Sequence, residues 1–344
     1  MVVRLFQEKD RERWDKYVLE SVHSTPYHLS GWKNVIEKSF GHRTYYLVSE
    51  DDQEGINGIL PLVQLKSLCF GNFMVSLPFF NYGGICASNK DVQDQLLEKA
   101  IKIAKEEKVE HIELRHKVQE GNGLKVKAKK VSMRLELSGK KEDLWNAFPS
   151  KLRSQIRKPQ KEGMYSQIGF IDEIDSFYKV FSINMRDLGT PVYSKQLFKN
   201  ILEEFPDSTW VCMIYTKEKI PVASGFLIGF KDMLEIPWAS SLRSYNRYSP
   251  NMLLYWSSLR FACESGYRVF DFGRSSPGEG TYKFKEQWGA KPVQLYWHYW
   301  LKNGRKLPEL NPDNPKYSTA IRIWRKLPVG LTRLIGPAIV KNLP

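Results

Sequence analysis

Asp271, Arg274, Lys283 and Lys285 crowd into one short stretch with glycines and aromatics between them. It reads Phe270-Asp271-Phe272-Gly273-Arg274-Ser275-Ser276, then Gly280-Thr281-Tyr282-Lys283-Phe284-Lys285-Glu286-Gln287-Trp288-Gly289-Ala290. After a glycine turn at Gly266, Val269 to Phe272 alternates apolar with polar, which predicts a buried strand with Asp271 at its outgoing end. Strand ends carry chemistry in open α/β sheets. Gly273, Gly278 and Gly280 permit positive φ and close approach of a ligand to the backbone. Lys283 and Lys285 alternate with Tyr282 and Phe284, giving a cationic and aromatic rim. Two readings stand: a ligand site, or a β–α connection with solvated lysines and a packed Trp288.

Other side chains offer further chemistry. Asp271, Glu279 and Glu286 are candidate general bases. Arg274 suits a substrate phosphate or carboxylate, or else a structural pair with Asp271. Tyr82, Trp238 and Tyr282 suit stacking on a sugar or base, or plain packing. The six histidines form no metal set, because His111 and His116, five apart on a strand, point to opposite faces. No nucleophile elbow supports a Ser-His-Asp hydrolase, and that class is excluded. Cys69, Cys86, Cys212 and Cys263 are scattered without a Cys-x-x-Cys pair, as reduced core residues would be.

The Asp271–Gly289 run resembles the second-domain signature of FemAB-like proteins, relatives of the GNAT acyltransferases that include tRNA-dependent aminoacyl transferases of cell-wall synthesis. The nearest likeness is to members accompanying exosortase/PEP-CTERM polysaccharide gene clusters. Pro78-Phe79-Phe80-Asn81-Tyr82-Gly83-Gly84 is similar to that family's aromatic-plus-Gly-Gly loop, and Lys151-Leu152-Arg153-Ser154-Gln155-Ile156-Arg157-Lys158 to its basic helix. The resemblance covers nearly all of residues 1–300. It implies an α/β (α+β) chain of tandem GNAT-like domains, each a mixed, mostly antiparallel sheet flanked by helices, without a coiled-coil arm. It also matches Phe284 and Lys285 to an adjacent Phe-Lys pair that borders the reacting groups. Lys285 is then the first choice for catalysis, as a fixed ammonium stabilising the oxyanion when an amine attacks an ester carbonyl.

The expected donor is aminoacyl-tRNA. A GNAT enzyme holds the pyrophosphate of acyl-CoA with backbone amides of a glycine-rich loop at a helix N-terminus. The corresponding loop, Ser241-Leu242-Arg243-Ser244-Tyr245-Asn246-Arg247-Tyr248-Ser249-Pro250, has no glycine, and Pro250 removes a donor. Acyl-CoA ranks second, with Arg243 and Arg247 as side-chain grips on phosphate. Lys151, Arg153 and Arg157 suit tRNA or a nucleotide diphosphate. No tightly bound cofactor or metal and no specific DNA binding are expected. The implied reaction forms an amide on a nucleotide- or lipid-linked precursor of the cell envelope or an exopolysaccharide, at an amino sugar or a peptide amine. The alternatives are an N-acyltransferase using acyl-CoA or acyl carrier protein, and a non-catalytic scaffold of polysaccharide assembly.

These residues need elements to position them. Helical patterning at Asp10–Ser21, Gly31–Phe40 and Asp91–Glu107 alternates with strand patterning at Thr44–Val48, Ile56–Gln64, Phe73–Leu77, Glu110–Arg115 and Val131–Leu137. A second unit starts near Lys140. Helices at Ile174–Asp187 and Lys195–Glu204 precede strands at Thr209–Tyr215, Pro221–Phe230 and Met233–Ala239. A helix capped by Ser249 and Pro250 then leads to the Asp271 strand, and Val293 to Leu301 closes the second sheet. The boundaries expected are 1–139, 140–302 and a terminal segment 303–344.

The net charge of +14 is localised: residues 125–163 hold twelve Lys/Arg against four Asp/Glu, and residues 302–344 nine against two. Such zones attract nucleic acid, nucleotide-linked precursors or anionic head groups, or are ordinary solvated faces. After Pro308, Pro312 and Pro315, apolar residues from Ile321 to Ile335 interleave with Arg322, Arg325, Lys326 and Arg333. This basic amphipathic segment reads as packing back on the first domain, with contact to the inner membrane surface as the second reading. No run suits a signal peptide or a membrane span, so a cytosolic protein is expected.

Overall fold

A computed structural model describes residues 2–53, 55–68, 70–121, 123–308 and 315–343. Cys69 and Pro312 lie outside them. In chain order the first elements are β1 (Val2–Leu5), α1 (Arg11–Glu20), α2 (Gly31–Phe40), β2 (Arg43–Glu50), β3 (Ile56–Ser67), β4 (Gly71–Val75), β5 (Cys86–Ala87), α3 (Lys90–Glu106), β6 (His111–His116) and β7 (Lys125–Lys127). Then come β8 (Val131–Glu136), α4 (Lys141–Ala147), α5 (Ser150–Lys161), β9 (Tyr165–Gly169), α6 (Ile174–Leu188), α7 (Lys195–Glu204), β10 (Thr209–Tyr215), β11 (Pro221–Phe230) and β12 (Met233–Ser241). The chain ends with α8 (Pro250–Glu264), β13 (Val269–Ser275), α9 (Gly280–Glu286), β14 (Lys291–Gln294), β15 (Tyr296–Leu301), α10 (Pro315–Trp324) and α11 (Val329–Val340).

Two sheets form, one in each of two compact units. The first runs β1-β2-β3-β4-β6-β15-β7, with β5 on β3, and the second β14-β8-β13-β12-β11-β10-β9. The first unit comprises Met1–Lys129, Gln294–Leu310 and Lys341–Pro344, the second Lys130–Val293 and Asn311–Val340. Each sheet contains a parallel pair, β4 with β6 and β12 with β13.

Three sequence expectations need correcting. Val131–Leu137 was assigned to the first half, yet β8 pairs with β13 in the second sheet. Val293–Leu301 was read as one strand closing the second sheet, yet it divides at Leu295, and β15 pairs with β6 and β7 in the first. Alternation reveals a strand but not its partner, so both boundaries fell on the wrong side of a strand. The terminal helices likewise belong to the second unit, where α11 packs on α6; the last residues, Lys341–Pro344, cluster with the first.

In the first unit, α3 begins where the Asn89 side chain accepts the Val92 N–H at 3.0 Å. It buries Val92, Leu96, Leu97, Ala100, Ile103 and Ala104, the stripe a helical period produces. On β6, Arg115 is buried with its guanidinium 2.7 Å from Glu113, over the Trp297 ring, and donating to the Phe80 carbonyl. Tyr299 donates to the other Glu113 oxygen at 2.7 Å. This network holds the loop after β4, where Leu77 and Phe79 adopt left-handed φ of 50° and 76°.

His116 Nε2 accepts the Ile85 N–H at 3.0 Å, and its Nδ1 lies 3.1 Å from His298 Nδ1. Burial, with His298 and His28 nearby, pushes His116 down to about 3, and burial also lowers His298, His111 and His42. An unfolded chain takes up these protons near pH 6.5 and the folded one resists them, so stability is intact above that pH and lost as pH falls below it. Urea unfolding at intervals between about pH 7 and 4 is expected to show this loss, and His116→Gln to reduce its slope. An unchanged slope in the variant would remove His116 from the account.

Candidate functional site

The site is built where β13 departs from regular pairing. Asp271 lies opposite Arg134 of β8 on one side and Glu235 of β12 on the other, so the three share a face. Phe270 and Phe272 point the other way into the core, where Tyr255 of α8 stacks on Phe272 at 5.4 Å. Past Asp271 the register with β8 shifts: Arg274 pairs with Ser132, leaving one extra residue on β13. Gly273 absorbs this bulge at φ 75°, a conformation that side-chain-bearing residues adopt at a cost. A second irregularity lies opposite Leu227 in β12, at Ile236 and Pro237, and Pro237 has no N–H for a ladder. Pairing of β12 with β13 is confined to Met233–Glu235 against Val269–Asp271. Beyond it, at the carboxyl ends of these parallel strands, the ladder pairing stops, although a Cβ on Gly273 would still lie 3.6 Å from the Ile236 carbonyl oxygen.

Lys285 reaches this end of the ladder from α9. It is only 7% exposed, and its Nζ donates to the Gly273 and Arg274 carbonyls, each at 2.9 Å. The bulge therefore creates acceptors for a buried ammonium, and two of its three N–H donors are fixed by backbone. Burial lowers its pKa to about 8, against the opposing pull of Asp271 and Glu235 and with Arg274 adding to the lowering.

Asp271 is fully buried and accepts from Ser132 Oγ, from the Gly273 N–H at 2.8 Å and from Arg134 Nε at 3.1 Å. Its carboxylate holds the bulge, which suits positioning better than proton abstraction. Among the described residues the buried Ser275 Oγ and Trp288 Nε1 have no hydrogen-bond partner.

The other sequence candidates divide. Arg274 and Glu279 are exposed, Glu279 immediately preceding α9, and Tyr282 and Phe284 are half-buried, Phe284 lying 5.1 Å from Tyr255. These gather with Lys285 and Asp271 on β13 and α9. Trp238, half-buried on β12, packs edge-on against Phe198, Phe226 and Tyr193. Lys151 and Arg157 are exposed on α5 and Arg153 is half-buried, and the Arg157 guanidinium lies over Trp145 at 5.2 Å. Arg243 donates to the Asp187 carbonyl at 2.9 Å, and Arg247 stacks on Tyr248.

Tyr82 and Gly83 belong to the first unit. Tyr82 is buried against Tyr27 rather than presented for stacking. Gly83 has φ 124°, and a Cβ on Gly84 would come within 2.4 Å of the His116 ring, so internal packing accounts for this glycine pair.

The loop before α8 does not form a phosphate cradle. Arg243–Tyr248 is a 3-10 turn, and Ser249 is left-handed at φ 60° with no capping bond from its side chain, contrary to the cap expected of it. The Tyr245 and Ser249 amides bond within the turn, Met252 donates to the Ser249 carbonyl, and Pro250 has no N–H. Asn251 alone of the first three helical positions can present an amide outward. A helix N-terminus that binds an anion offers several such amides; here the first three positions offer one.

Ser132, Arg134 and Glu235 were missed in the sequence. A carboxylate between Leu234 and Ile236 in an apolar strand was a readable signal.

The family description "Acetyltransferase (GNAT) domain" matches residues 148–286. No curated protein matches the chain significantly. Among solved structures, FemX shares 16% identity, covers 88% of this chain and 98% of its own, and superposes with a TM-score of 0.68. A tandem GNAT protein from the clavulanic acid biosynthesis pathway covers 89% and 99% at 10% identity, TM-score 0.56. A domain from Agrobacterium fabrum, named as the C-terminal part of a lysylphosphatidylglycerol synthetase, covers 86% and 92% at 13% identity, TM-score 0.56. At these identities the likeness is one of fold. The chain has a tandem GNAT-like fold, two mixed sheets flanked by helices, and no helix among the described residues is long and apolar enough to cross a membrane.

Proposed function

We propose that this chain is a FemAB-like transferase that forms an amide on a cell-envelope or exopolysaccharide precursor, taking its acyl group from aminoacyl-tRNA. The observation that carries this reading is the buried Lys285 ammonium, pinned on the β13 bulge where the pairing of two parallel strands ends. An amine of the acceptor attacks the ester carbonyl of the donor; the C–N bond forms, the C–O bond breaks, and the amine proton passes to the departing oxygen. Negative charge grows on oxygen throughout, and the third Lys285 N–H stabilises it in a site shielded from water. Asp271 and Glu235 keep the ammonium charged despite burial, while Arg274, Tyr282 and Phe284 line the approach.

Two features of the second unit support this donor. The blocked α8 terminus speaks against acyl-CoA, and the exposed cations of α5 suit a polyanion. An amino sugar or peptide amine on a nucleotide- or lipid-linked precursor is the acceptor class, in keeping with the FemX-like fold.

Thermal-shift titration with charged total tRNA, acetyl-CoA and a UDP-amino sugar tests this reading. Charged tRNA and the nucleotide sugar are expected to stabilise the protein and acetyl-CoA to leave it unmoved. Replacing Lys151, Arg153 and Arg157 by Ala is expected to flatten the slope of log affinity for tRNA against log salt by about 2. A response to acetyl-CoA alone would move the protein to the N-acyltransferases, and an unaltered salt slope would remove α5 from the donor site.

A further inference from the structure

From Pro315 to its last residue the sequence carries six Lys/Arg and no Asp or Glu. The helices within this stretch are firmly seated on one side. Thr332, Gly336 and Val340, spaced by four, are buried on α11, and a Cβ on Gly336 would lie 2.9 Å from the Val192 amide. Trp324 is buried on α10, Arg325 donates to the Leu188 carbonyl at 3.1 Å, and Arg186 donates to the Leu327 carbonyl at 3.1 Å.

The other side faces solvent with the wrong chemistry for it. Leu331 and Leu334, three apart on α11, are 42% and 76% exposed, and Ile323 on α10 is 57% exposed. Arg322 and Lys326 are exposed around them. The nearby carboxylates are already engaged by cations, Asp187 with Arg186 and Asp175 with Lys195, both at 2.6 Å. Exposed leucines on helices whose own charged residues are all cationic are the composition of a segment lying in a membrane interface. At ten and twelve residues neither helix approaches the roughly 20 needed to span a bilayer, so lying in its plane is the geometry left.

We propose that the outer face of α10 and α11 docks on an anionic lipid bilayer, with Leu331, Leu334 and Ile323 inserted and Arg322 and Lys326 on the head groups. A second copy of this chain is a poor occupant, because it would set like charges against each other. The inference rests on these helices alone and is independent of the acyl-transfer reading.

Co-sedimentation of the full chain with vesicles tests it. Vesicles of phosphatidylcholine and phosphatidylglycerol in equal parts are expected to bind the protein at least about tenfold more tightly than phosphatidylcholine alone, with the difference shrinking as salt is raised. The variants L331S/L334S and R322E/K326E, both at exposed positions, are each expected to weaken binding by roughly tenfold while melting with the parent. Absence of binding to the anionic vesicles, or binding indifferent to both variants, would overturn the proposal. So would concentration-dependent self-association that L331S/L334S abolishes and vesicles fail to compete with, since that would make the face a contact between copies.

Discussion

Lys285→Met is expected to lower the rate of transfer by about 100- to 1,000-fold, the range seen when a single oxyanion donor is removed, while leaving the protein folded. Two contributions to stability oppose each other in this variant. Holding the pKa at about 8 instead of an ordinary 10.5 means that burying the ammonium costs about 3 kcal/mol near neutral pH, and the substitution removes that cost. It also strips the Gly273 and Arg274 carbonyls of their donor, at about 1–3 kcal/mol each. The balance is expected to lie within about 3 kcal/mol of the parent, a narrower test than activity alone.

The same group gives the parent a pH signature. Because the folded pKa lies below the unfolded one, the burial cost is fully present below about pH 8 and is relieved as pH rises towards 10.5. Stability should therefore rise through that window while transfer slows as the ammonium is lost. Urea unfolding and initial rates at matched pH would show the two moving in opposite directions. Lys285→Met should abolish the rise in stability, and a rise that persists in the variant would remove Lys285 as its source.

Asp271→Ala is the larger threat to the fold. It removes the ion pair with Arg134 and the carboxylate that accepts from the Gly273 amide and the Ser132 hydroxyl, at a fully buried position. Removing one partner of a buried pair typically costs about 3–5 kcal/mol. Equilibrium denaturation should show a loss of that size, with Asp271→Asn retaining part of it. A loss under about 1 kcal/mol would mean that the bulge does not depend on this carboxylate.

Much of this was legible from residue types. The periods of α3, α6 and α8, the strands β10 to β13 and the left-handed Gly266 after α8 sit where alternation, helical spacing and glycine placed them. Lys285 and Asp271 were legible as chemistry, but their division of labour was not. Burial decides it, and burial depends on a β-bulge whose partner strand lies far away in sequence. Tyr82 shows the converse: an aromatic beside two glycines reads as a stacking surface until its ring is found against Tyr27. Lys151 and Arg157 could be read as exposed because their helix shows its apolar face, Leu152 and Ile156, in the local pattern.

The crossed strands bear on how the polypeptide leaves the ribosome. β8 is synthesised long before β13, its neighbour in the second sheet, and β6 must wait for β15 near the end of translation. Until then each growing sheet presents an unsatisfied edge, the kind of surface along which chains aggregate. A fragment ending at residue 139, or one spanning 140–302, would carry such an edge permanently. Both sheets are thus completed late in synthesis and nearly at once, although each has a core of its own.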